Sequence, residues 1–125
     1  TTKKFIDGIN SIPELKVLGS PDMCVFSYTS ESLSIFNVAE KMLKRGWGVD
    51  RQHYPDSLHM MVTPVHEKAV DKYLVDLKES VEEVKANPTQ AEGMAAMYGA
   101  VAHMPDKSMI TSFITNFLDS LTKAE

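Results

Sequence analysis

Two dense turn signals divide the first half of this chain, and each lies between two short apolar runs. Gly19-Ser20-Pro21-Asp22 separates residues 15–18 from residues 23–28, and Tyr54-Pro55-Asp56-Ser57 separates residues 47–53 from residues 58–62. Gly and Pro interrupt regular structure, while Asp and Ser close turns with their own side chains. Runs of this length, carrying Cys24, Val25, Phe26 and Tyr28, suit strands better than helices. The pattern predicts two strand pairs, the first a hairpin. Between them Ile35, Val38, Ala39, Met42 and Leu43 recur at helical spacing, with Glu40, Lys41, Lys44 and Arg45 off the stripe. The hydroxyls of Ser30-Glu31-Ser32 are placed to cap that helix, and Gly46 after Lys44-Arg45 to end it.

The flanks read as helices. Residues 3–12 put Phe5, Ile6, Ile9 and Ile12 on one face before Pro13 stops them. Thr63-Pro64 opens a longer helix that runs to Asn87-Pro88, with Val65, Ala69, Tyr73, Leu77, Val81 and Val84 on one face and Val70 and Leu74 beside them. Asp71, Asp76, Glu79 and Glu83 form its solvated side. After Met104-Pro105-Asp106, a final helix carries Met109, Ile110, Phe113, Ile114, Phe117, Leu118 and Leu121. The order of elements predicts an α+β fold, a small and mainly antiparallel sheet covered by helices. With 125 residues, no internal repeat and no low-complexity linker, residues 1–125 make one domain. The first and last helices are expected to carry more apolar surface than this domain buries alone, and so to pack on other residues or a second subunit.

Charge and composition remove several function classes. Thirteen Lys and Arg against 17 Asp and Glu leave a net charge of −4, a poor match to a nucleic-acid backbone. No apolar run reaches the roughly 20 residues that span a bilayer. The single cysteine, Cys24, builds no internal disulfide, fits a reducing cytosol, and reads as a small buried hydrophobe with a raised thiol pKa. His53, His59, His66 and His103 lack the mutual spacing of zinc ligands, and His66-Glu67 meets Val70 where a metalloprotease motif needs histidine, so no metal site is expected. Gly46-Trp47-Gly48 is not a dinucleotide fingerprint. The eight methionines read as core filler. His59 falls on the strand face opposite Met60, turned to solvent or to a subunit contact, and its role stays open. In residues 93–99, Gly93-Met94-Ala95-Ala96-Met97-Tyr98-Gly99, two glycines frame Tyr98, whose hydroxyl can enter a site as donor or acceptor.

That heptapeptide, with Phe117-Leu118-Asp119-Ser120-Leu121, Gly46-Trp47, Ser57-Leu58-His59, Lys78-Glu79-Ser80-Val81 and Asn87-Pro88 in the same order, resembles the C-terminal small domain of sphingosine-1-phosphate lyases. It is more distantly similar to the small domains of other pyridoxal-phosphate decarboxylases of fold type I. The resemblance implies part of an aldehyde-lyase that cleaves a carbon–carbon bond of a phosphorylated long-chain base, giving a fatty aldehyde and phosphoethanolamine. It implies pyridoxal 5'-phosphate held by a lysine of a large domain, a homodimer, and a cytoplasmic catalytic part whose membrane anchor, if any, lies outside this chain. It places Tyr98 toward cofactor and substrate, positioning the reacting hydroxyl or shuttling its proton. It also implies that residues 1–12 end a helix continuing from that large domain. The family's histidine-lysine pair is absent here, since His66 precedes Glu67 and His103 precedes Met104, so no cofactor-binding residue is assigned within this chain. The alternatives are the small domain of a pyridoxal-phosphate amino-acid decarboxylase and a stand-alone α+β interaction module.

Overall fold

The computed structural model describes residues 1–88 and 108–122. Among them, α1 (Thr2–Asn10), α2 (Ile35–Lys44), α3 (Val70–Ala86) and α4 (Ser108–Thr122) accompany strands β1 (Lys16–Val17), β2 (Val25–Thr29), β3 (Asp50–Gln52) and β4 (Ser57–Met61). The strands form one antiparallel sheet in the order β1-β2-β4-β3. The α+β expectation and both strand pairs hold. The two pairs are joined through their inner strands, with Phe26 opposite Met60 and Tyr28 opposite Leu58.

Strand alternation sends Val17, Phe26, Tyr28, Leu58 and Met60 to one side, where all are buried. Helix α1 packs on β1 and α3, and α2 packs on β4 and α3, so the helical layer lies on that side. From α1 come Phe5 and Ile9, from α2 Ile35, Phe36, Val38, Ala39 and Met42, and from α3 Val70, Tyr73, Leu77, Val81 and Val84. Each large side chain fully removed from water here contributes about 1.5–3 kcal/mol. Burial of Phe5 and Ile9 overturns the expectation for the first helix: its apolar face is satisfied within this chain. The final helix behaves as expected, with Met109, Phe113, Ile114, Phe117, Leu118 and Leu121 all exposed.

The helix ends differ in detail from the sequence pattern. Ser34, rather than the Ser30-Glu31-Ser32 triplet, caps α2 by accepting the Asn37 amide, while Ser30 Oγ accepts the Leu33 amide at 3.0 Å. At the other end Gly46 has φ of 90°, a left-handed conformation that suits glycine. The Gly46 amide bonds the Leu43 carbonyl and the Trp47 amide the Met42 carbonyl, closing the orphan carbonyls of α2. After Thr63 the chain first makes a 3₁₀ turn, Pro64–Lys68, before α3 begins. Three residues per turn take Val65 off the α-helical stripe, so it is 82% exposed instead of buried. Leu43 also leaves its stripe and is exposed.

Helix α1 meets α3 at close range. A Cβ added to Gly8 would lie 2.4 Å from Leu74 Cδ1 and 2.7 Å from Leu74 Cδ2. Phe5 packs edge-on to Tyr73 at 5.4 Å between ring centroids, and Lys4 Nζ pairs with Asp71 at 2.7 Å. Gly8→Val should therefore cost about 1–3 kcal/mol through overpacking and β-branching. Gly8→Ala should cost less, because alanine regains up to about 1 kcal/mol of helix propensity. Urea denaturation of the three proteins checks the order.

Candidate functional site

The side chains on the sheet face turned away from α1, α2 and α3 are the first place where the described residues offer chemistry. Alternation puts Lys16, Val25, Ser27, Thr29, Asp50, Gln52, Ser57, His59 and Met61 there. The register sets Ser27, His59 and Asp50 side by side across three adjacent strands. His59 is half-buried in the middle of this row. The row is not an assembled nucleophile: the Ser27 hydroxyl donates to Gln52 Oε1 at 3.0 Å, not to the imidazole. Thr29 Oγ1 likewise donates to the Asp56 carbonyl at 2.5 Å. What the face presents is a polar strip with an imidazole at its centre and the apolar pair Val25 and Met61 at one end.

On the opposite side, three polar contacts tie the helices to one another or to the sheet. Tyr28 of β2 and Tyr73 of α3 share a hydroxyl–hydroxyl hydrogen bond of 2.7 Å in the core. Burial raises both phenol pKa values, that of Tyr73 to about 12. The Trp47 indole N–H donates to Asp76 Oδ2 at 2.7 Å, and Lys72 Nζ donates to the same oxygen at 2.5 Å. Lys72 first, and then Trp47, hold the Asp76 carboxyl below its ordinary value. Asp76 is thus buried in the α2–α3 seam, contrary to the solvated face expected of it, because the indole needs an acceptor there. Glu40 is buried too, though its position lies off the apolar stripe: it receives Arg51 of β3 at 3.0 Å. Sequence periodicity missed these pairs. Only the Lys72-to-Asp76 spacing of four residues was a usable signal.

The residues singled out from the sequence are scattered. Tyr98 and the whole of 93–99, with His103, lie outside the described residues. Cys24 is exposed, not buried, because it precedes β2 and only its carbonyl joins the sheet, accepting the Val62 amide at 2.7 Å. His66 completes a turn, its Nδ1 accepting the Thr63 amide at 2.8 Å. His53 Nδ1 lies 3.1 Å from Asp56 Oδ1 within the β3–β4 turn. The methionines divide: Met42 and Met60 fill the core, while Met23, Met61 and Met109 are exposed. Among the described residues, no three His, Cys, Asp or Glu side chains gather as a metal site.

Nor do the described residues fit pyridoxal phosphate. A bound phosphate ester needs convergent amides or cations, and two surface clefts among the described residues set carboxylates beside their lysines. One combines Glu14 and Glu31 with Lys16, and the other Asp7 and Asp22 with Lys3.

No family model matches the sequence. The chain is 40% identical over 120 residues to the sphingosine-1-phosphate lyase of Arabidopsis thaliana, and 42% identical over 120 residues to that of Oryza sativa subsp. japonica. Each alignment covers 95% of this chain and 22% of the relative. The aligned stretch of these relatives is their C-terminal region. A solved sphingosine-1-phosphate lyase from Burkholderia pseudomallei superposes with a TM-score of 0.75 at 27% identity, over 99% of this chain and 24% of that one. The chain therefore spans about a fifth to a quarter of the lyases it matches. The stretches that carried the resemblance have structural places: Gly46-Trp47 closes α2, Ser57-Leu58-His59 begins β4, and 78–81 lies in α3. Asn87-Pro88 follows α3, and 117–121 lies in α4.

The buried groups set a pH window for the stability of this chain. A lowered folded-state carboxyl stabilises above the unfolded value of about 3.9 and ceases to as pH falls through its folded value. Asp76→Asn should therefore flatten the acid limb of a stability–pH profile. A raised folded-state phenol stabilises fully below the unfolded value of about 10 and loses that contribution as pH rises through its folded value. Unfolding between pH about 10 and 12 should thus release the Tyr28 and Tyr73 protons together. A tyrosinate absorbance that rises well before the loss of secondary structure would contradict this. At neutral pH Tyr28→Phe, which strands the Tyr73 hydroxyl, should cost about 1–3 kcal/mol, and the double phenylalanine variant less.

Proposed function

We propose that this chain is the C-terminal small domain of a pyridoxal-phosphate-dependent aldehyde-lyase that cleaves the carbon–carbon bond of sphingoid base phosphates. The products are a fatty aldehyde and phosphoethanolamine. One observation carries the reading: 40–42% identity to sphingosine-1-phosphate lyases runs over 95% of the chain. The lack of a histidine-lysine pair, and clefts that do not suit a phosphate ester, support assigning the cofactor to the remainder of the enzyme. On this reading α1 continues a helix from the large domain. The enzyme works as a homodimer in the cytoplasm. Among the described residues no helix is long and apolar enough to cross a membrane.

Within this chain the reactive contribution belongs to Tyr98. Its glycine-framed segment lets the backbone approach closely, and its hydroxyl can both accept and donate a hydrogen bond. An ordinary phenol has a pKa near 10, so at neutral pH it stays protonated and is suited to holding the substrate hydroxyl in place. It shuttles a proton only where a neighbouring cation lowers that value.

The test uses the full-length polypeptide loaded with pyridoxal phosphate and supplied with a long-chain base phosphate. Release of aldehyde supports the lyase, whereas release of carbon dioxide from an amino acid points to a decarboxylase. Tyr98→Phe should lower kcat by about 10- to 100-fold with little change in KM, the signature of an interaction made in the transition state. Unaltered turnover would remove Tyr98 from the mechanism.

A further inference from the structure

We draw no further inference here: the strongest candidate, the exposed apolar face of α4 formed by Met109, Phe113, Ile114, Phe117, Leu118 and Leu121, carries nothing, because nothing in the structure shows what covers it.

Discussion

Two phenol hydroxyls meet 2.7 Å apart at the centre of this domain, one from strand β2 and one from helix α3. Everything in the arrangement of layers is referred to that point. Tyr28 is on an inner strand of the sheet, and Tyr73 also receives the edges of Phe5 from α1 and Trp47 from beyond α2. A buried hydroxyl without a partner is costly, so the pair fixes the distance between β2 and α3 in a way that apolar packing alone would leave adjustable. The remaining polar contacts extend the same logic outward. Arg51 and Glu40 set α2 against β3, and Trp47, Asp76 and Lys72 set the chain after α2 against α3.

The architecture was legible where its cause is local. Turn residues between short apolar runs marked both strand pairs, and Gly46 after two cations marked the end of α2, because backbone conformation is decided within a few residues. Burial was less legible, because it depends on partners distant in sequence. Glu40 and Asp76 occupy positions that periodicity assigns to solvent, and each is drawn inward by a donor 11 or 29 residues away. Cys24 shows the converse: its apolar neighbours suggested burial, but β2 starts one residue later. Val65 was misplaced because proline and the capping contact of His66 with Thr63 wind the chain into a 3₁₀ turn, where the 3.6-residue stripe does not apply.

The candidate site was legible in a different sense. Tyr98 was visible from its glycine-framed segment, yet nothing in local pattern says which chemistry a lone tyrosine serves. The role proposed for Tyr98 draws on the similarity to lyases over nearly the whole chain, and Tyr98 itself lies outside the described residues. His59 illustrates the remaining gap. Strand alternation placed it on the correct face, and pairing added Ser27 and Asp50 on either side, but Ser27 is committed to Gln52. A row of suggestive residue types is thus not a catalytic constellation until its hydrogen bonds are known.

Among the described residues the sheet is covered on one side, which divides each inner strand between two masters. Along β2, Phe26 and Tyr28 answer to the helices of this chain, and Val25 and Ser27 to whatever lies across the bare face. A step of a single residue therefore moves a substitution from the domain's own folding to its dealings with a neighbour. Tolerance to change along β2 and β4 should rise and fall with a period of two, and the two phases of that rhythm would record separate evolutionary pressures on adjacent side chains.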